Sequence, residues 1–203
     1  MKAQKLVFIV ALLIAAAVAL AACGDNGGET PAPITIQQSD GQQLALEQAP
    51  QRIVSLSAHA TEIFCAIGAG GQLVAVDKFA NCPPGSTEKP QLDSFQPNLE
   101  AIAAHEPDLV YVFSNQDNIV EALRGIGTPV LYLELPSTLE GVLEQVELFG
   151  RLSGQVEEAR ALVQSMQERL DAVKDRIANV ERGPRVFHEL DPNYFTIGPD
   201  TFI

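Results

Sequence analysis

The sequence predicts an α/β fold. Three observations carry this reading: short β-rich runs alternate with helical stretches between residues 52 and 134, a hairpin signal precedes them, and one long amphipathic segment follows. Short strands alternating with helices indicate βα units and a mainly parallel sheet.

In chain order, "ITIQQSDGQQLALEQAP" (34–50) alternates apolar and polar residues around Asp40-Gly41, the strongest short-range hairpin signal. "RIVSL" (52–56) reads as a strand, and Ser57 or Thr61 can cap the helix that follows, with Gly68 as its stop. "LVAVD" (73–77) is a strand, "NCPPGSTEKP" a loop and "NLEAIAAHEPD" a helix. "LVYVF" (109–113) is a strand, "NIVEALRGIG" a helix and "VLYLE" (130–134) a strand. Ligands of such sheets bind beyond the carboxyl ends of the strands, so the loops at 57–61, 78–97 and 114–117 are expected to share one functional rim. "TLEGVLEQVELFGRLSG" reads as one helix. Residues 155–183 read as a second, with apolar Val156, Ala159, Leu162, Val163, Met166, Leu170, Val173, Ile177 and Val180 and a stop at Gly183-Pro184. At about 1.5 Å per residue it would be about 40 Å long, enough to brace one lobe against another. "RVFHEL" (185–190) looks like a new strand. The roughly twenty residues beyond the long helix cannot bury a core of their own, so a second lobe is expected to be only begun.

The first residues address export. Lys2 and Lys5 precede "LVFIVALLIAAAVALAA" (6–22), which is uncharged and short of the about 20 apolar residues of a membrane span. The run ends on Leu20-Ala21-Ala22-Cys23, which resembles the lipobox of bacterial lipoproteins, in which the cysteine is acylated as the mature N-terminus. Cys23 is therefore the expected lipidation site. "GDNGGETPAP" then reads as a tether, too polar to offset the entropy of ordering. The expected location is outside the cytoplasm, on the outer face of the cytoplasmic membrane or in the periplasm.

The formal net charge is −13, which argues against a nucleic-acid partner. Export places Cys65 and Cys82 in an oxidising compartment. Sequence leaves open whether they form a disulfide or stand as separate thiols, because it does not supply their Cα separation. Their spacing fits no zinc pattern. GxSxG, HExxH and P-loop motifs are all absent from the chain. The glycines at 68–71 follow a helix and read as a C-cap and turn. His59 follows the first strand of the sheet and His188 lies on the run after the long helix, so either could be a metal ligand or a polar cleft residue. His105 reads as a favourable charge at a helix C-terminus.

Put in order, "RIVSLSAHATEIFCAIGAG", "VAVDKFANCPPG", "FQPNLEAIAAHEPDLV" and "VFHELDPNYFTIGPDTFI" resemble the solute receptors of cobalamin and iron-siderophore ABC importers, the helical-backbone binding proteins. The resemblance covers roughly residues 34–203. It implies two lobes joined by one rigid helix, a ligand in the cleft between them, and delivery to a membrane permease and its ATPase by a monomeric receptor that is not an enzyme. Position by position, it implies ligand contacts at Ser57, His59, Phe79, Asn81, Ser94 and Phe95 from the first lobe and at Glu189, Tyr194 and Phe195 from the second. Glu100 matches the acidic residue with which such receptors engage a permease arginine. Ala58, His59 and Cys82 depart from the proline, small residue and tyrosine that many relatives have there, and all three touch the ligand rim.

The expectation is thus a signal peptide (1–22), a tether (23–33), a first ligand-binding lobe (34–136), helices including the inter-lobe backbone (137–182) and the start of a truncated second lobe (183–203). The expected ligand is a corrinoid such as cobalamin, with a ferric siderophore or haem as the alternative within the same family. No resident cofactor is expected. A direct Zn²⁺ or Mn²⁺ receptor using His59, His188 and a carboxylate such as Glu189 is the reading of a different class, though three histidines are few for it.

Overall fold

The structure, a computed structural model, describes residues 33–82, 89–183, 185 and 187. The expected signal peptide, Cys23, most of the tether, His188, Glu189, Tyr194 and Phe195 lie outside the described residues, as does most of the run 185–190.

The entry hairpin pairs β1 (Ile34–Gln37) with β2 (Gln43–Leu46) antiparallel. Its turn uses Gly41 at φ 80°, a conformation glycine adopts without a Cβ penalty, and Asp40 Oδ1 accepts from Gln42 N at 3.0 Å. The hairpin tip does a second job. Gln38 Oε1 accepts from Tyr132 N at 2.8 Å, Ser39 N donates to Tyr132 O at 3.1 Å, and Ser39 Oγ accepts from Glu134 N at 2.9 Å. These bonds cover the outer edge of the last strand, where unpaired groups would otherwise invite another chain.

The main sheet contains β3 (Ile53–Leu56), β4 (Leu73–Asp77), β5 (Gln91–Leu92), β6 (Leu109–Val112) and β7 (Val130–Tyr132), all parallel, in the order β5-β4-β3-β6-β7. β5 was not foreseen, since two residues in a polar loop show no strand pattern. Helices α1 (Ala58–Ala66), α2 (Leu99–Ala103), α3 (Ile119–Gly125), α4 (Leu139–Ser153) and α5 (Val156–Ile177) complete the architecture. β3, β6 and β7 are buried along their whole length, as expected when helices cover both faces of a parallel sheet. One core joins Ile53, Leu109, Tyr111 and Leu131 to Phe64 of α1 and Phe149 of α4. The other joins Val54, Val110 and Val112 to Ile102 of α2 and Val120 and Leu123 of α3.

Local chemistry explains where the helices start and stop. Ser57, Asn98 and Thr138 cap α1, α2 and α4 through their side-chain oxygens, and Gly68 at φ 83° ends the first helical stretch as anticipated. α2 is much shorter than "NLEAIAAHEPD" promised. Just past its end, Arg52, the residue before β3, donates to His105 O at 2.6 Å and Glu106 O at 2.9 Å, so a distant guanidinium holds the turn where His105 was the expected cation. α4 and α5 cross at Gly150, where a Cβ would overlap Ala159 Cβ and lie 3.0 Å from Gln155 O.

α5 stops at Ile177, ahead of the anticipated Gly183-Pro184, and is about 33 Å long at about 1.5 Å per residue. Ala159 is buried and Leu162, Val163 and Met166 pack partly on the core, whereas Val173, Ile177 and Val180 are exposed. The helix thus packs over its first half only. No helix among the described residues is long and apolar enough to cross a membrane.

Candidate functional site

β3 comes first in the sheet, with β4 on one side and β6 on the other. The order in which the chain adds strands reverses between β3 and β6, and such a switch point opens a crevice at the carboxyl ends of the strands. The loops expected to form the rim all leave from those ends. At about 4.8 Å per strand the rim spans about 19 Å from β5 to β7.

At the centre of the rim is His59. Its Nδ1 is 2.5 Å from Ser57 Oγ and its Nε2 is 3.3 Å from Tyr111 Oη. Tyr111 gives its single proton to Leu133 O at 3.2 Å, so it must accept from the imidazole. The ring is therefore protonated at Nε2, and Nδ1 accepts from Ser57. Gln145 Nε2 donates to the same Tyr111 oxygen at 3.4 Å. Burial lowers the His59 pKa, partly opposed by Gln145, and burial raises that of Tyr111. The first keeps His59 neutral, and the second keeps the Tyr111 hydroxyl protonated. With both ring nitrogens bonded inside the protein, a direct metal-ion site at His59 would have to break one of these bonds. Among the described residues no group of three or more His, Cys, Asp or Glu could hold a metal ion.

Ser57 is correspondingly not a free rim hydroxyl. It is 2% exposed, caps α1 and anchors His59, so its contribution to the rim runs through the imidazole. Beneath it, Thr61 Oγ1 lies 2.9 Å from Ser55 Oγ and 2.8 Å from Ser57 O, which leaves this buried polar knot satisfied. Beside His59 a cavity of about 470 Å³ opens between Glu62, Ile63, Leu135, Gln145 and Met166, within the usual size range of ligand pockets.

The pH dependence follows from the direction of the His59 shift. The unfolded chain binds a proton near the ordinary value of 6.5 and the folded chain only at lower pH. Stability is therefore full above 6.5 and falls as pH drops below it. Urea titrations at several pH values should show this slope in the parent chain and a smaller one in His59→Gln; equal slopes would refute the assignment.

On the β4 and β5 side, Phe79 and Phe95 are 61% and 55% exposed and meet edge to face with ring centroids 6.0 Å apart. Lys78 lies 5.0 Å from the Phe79 ring centre and pairs with Asp93 at 2.6 Å. Asn81 is exposed beyond Phe79, and Cys82 is bonded to Cys65 of α1 with Cα atoms 5.9 Å apart, which resolves the open question of the two cysteines. Ser94 is half-buried, its N–H directed 3.3 Å to Asp77 Oδ2. Glu100 is exposed in the first turn of α2.

Sequence reasoning passed over Asp77, Asp93, Tyr111 and Gln145. A signal existed for two of them: "DKF" and "DSF" each place an aspartate two residues before a rim aromatic, a spacing at which Asp bonds a backbone N–H ahead of it. Tyr111 and Gln145 read as ordinary strand and helix residues.

Exposed aromatics on bonded loops thus line a switch-point crevice of a parallel α/β sheet, with a neutral histidine at its centre. The periplasmic binding protein family model matches residues 53–203, and the chain belongs to that family. The fold expectation and the reading as a binding protein rather than an enzyme agree with this membership. A cobalamin-binding protein of Halobacterium salinarum is 30% identical over 84% of this chain and 47% of its own length. The uncharacterized ABC transporter substrate-binding lipoprotein YvrC of Bacillus subtilis is 28% identical over 98% of this chain and 69% of its own. The crystal structure of the periplasmic vitamin B12 binding protein BtuF of Vibrio cholerae superimposes with a TM-score of 0.62 at 28% identity, covering 71% of this chain and 57% of that one. The chain thus spans about half the length of the cobalamin-binding relative.

Proposed function

We propose that this protein is an extracytoplasmic solute receptor of an ABC importer that binds a corrinoid and delivers it to a membrane permease and its ATPase. The observation that carries the reading is the exposed edge-to-face pair Phe79–Phe95 on the rim. Large apolar rings left in solvent on bonded loops mark a binding surface. The likeness to cobalamin- and vitamin B12-binding proteins supports a corrinoid, and the resemblance to iron-siderophore receptors keeps ferric siderophores and haem as the alternative. In this reading the described residues supply one wall of the cleft, and the resemblance assigns Glu189, Tyr194 and Phe195 to the other. The name of the Bacillus relative supports lipid attachment at Cys23 after a signal peptide of residues 1–22, with residues 23–33 as the tether. Glu100, exposed at the rim end of α2, is the permease contact.

Calorimetric titration with cyanocobalamin, a ferric siderophore and haem tests the ligand. The expected result is saturable heat with cyanocobalamin, weakened about tenfold or more in Phe79→Ala/Phe95→Ala, since buried aromatic anchors dominate such contacts. Heat with the iron chelates alone transfers the ligand to the alternative. Heat with none of the three overturns both.

A further inference from the structure

Asp77 ends β4 and is 1% exposed. Its two carboxylate oxygens serve different loops: Oδ1 accepts from Phe79 N at 2.8 Å on its own loop, and Oδ2 from Ser94 N at 3.3 Å on the loop after β5. Asp93 mirrors it on the second loop. Its Oδ1 accepts from Phe95 N at 3.0 Å and Gln96 N at 3.3 Å, while Oδ2 reaches back to Lys78 on the first. The Lys78 ammonium holds the Asp93 carboxyl below its ordinary value. Each carboxylate thus bonds the backbone N–H of the aromatic two residues ahead of it and also crosses to the other loop.

We infer that Asp77 and Asp93 form a crossed clamp that fixes Phe79 and Phe95 as one unit, making the two aspartates positioning residues for the aromatic rim. Either ring alone sits on an exposed loop, where its side chain would lose rotamer and loop freedom on meeting a ligand. Cross-linking the loops removes part of that cost beforehand. The buried position of Asp77 is explained by the same geometry: a carboxylate without water is tolerated when N–H donors satisfy it. The Cys65–Cys82 bond secures the far side of the first loop, so the clamp acts on a segment held at both ends.

The inference rests on the receptor reading only for its ligand arm, and the test separates the two. In the full chain, Asp77→Ala should accelerate amide exchange at Phe79 and, across the gap, at Ser94 by about fivefold or more, while Val110 and Tyr111 in the sheet centre stay protected. Asp77→Asn preserves volume should the alanine variant fail to fold. Its amide can still accept from Phe79 N but presents a donor to Ser94 N, so exchange should rise at Ser94 alone. Cyanocobalamin affinity should fall about fivefold or more with Asp77→Asn, and should not fall further when that change is added to Phe79→Ala/Phe95→Ala. Unchanged exchange at Ser94 in both variants, or an affinity loss of equal size in the chain lacking the rings, overturns the clamp. Absence of cyanocobalamin binding by the parent chain overturns the ligand reading and leaves the exchange data to decide the clamp.

Discussion

Phe149→Ala is expected to cost about 3–5 kcal/mol of folding stability, against a total of about 5–15 kcal/mol for a domain. Phe149 is fully buried, stacks on Phe64 with centroids 4.7 Å apart and rings 5° from parallel, and meets Tyr111 edge to face at 5.3 Å. It is the point where α4, α1 and β6 touch, so three elements lose contact with one side chain. The cavity would also lie under Tyr111, whose hydroxyl holds His59, so the rim should loosen as well. Urea unfolding should show the midpoint falling with little change in slope. Phe79→Ala serves as the control: with most of its ring in solvent, it should stay within about 0.5 kcal/mol of the parent. Equal effects from the two substitutions would refute the assignment of core and rim.

Opening the Cys65–Cys82 bond should cost about 2–4 kcal/mol, the range for a disulfide closing a loop of this length, whose partners are 17 positions apart. Most of that acts by giving the unfolded chain more freedom. A second consequence is local. The bond ties the loop carrying Phe79 and Asn81 to α1, so reduction should raise amide exchange over residues 78–82 before the sheet is affected. Unfolding with and without reductant, and the Cys65→Ser/Cys82→Ser chain, would check both. An unchanged midpoint under reduction would mean that the cysteines do not pair in solution.

Much of the fold was legible because it is encoded locally. Asp40-Gly41 demands a hairpin turn, Ser57 is a capping residue directly before a helical pattern, and Gly68 ends that pattern by taking a positive φ. Strands β3, β4, β6 and β7 followed from β-rich runs; β4 keeps its expected bounds, and β3, β6 and β7 are each trimmed at one end. The misreadings occurred where a distant residue decides the outcome. The turn after α2 is held by Arg52, about fifty positions away in sequence, through the carbonyls of His105 and Glu106. β5 exists only because Val76 and Asp77 lie beside Gln91 and Leu92. The candidate site divides the same way. Phe79, Phe95 and His59 could be named from their loops, but Tyr111, whose Oη bonds His59, and Gln145, which donates to that same oxygen, come from elements that sequence spacing does not join.

By itself, then, the sequence determined the element types, the direction of the sheet and which loops would meet at its rim, because propensity, capping and apolar period act within a few residues. Only the tertiary structure decided that Cys65 bonds Cys82, that Ser57 faces inward to hold a neutral His59, and that Asp77 and Asp93 cross-link the two aromatic loops. The first and last of these join residues 15 to 17 positions apart that the fold brings within bonding reach, and hydrogen bonds and disulfides form by separation in space, not along the chain.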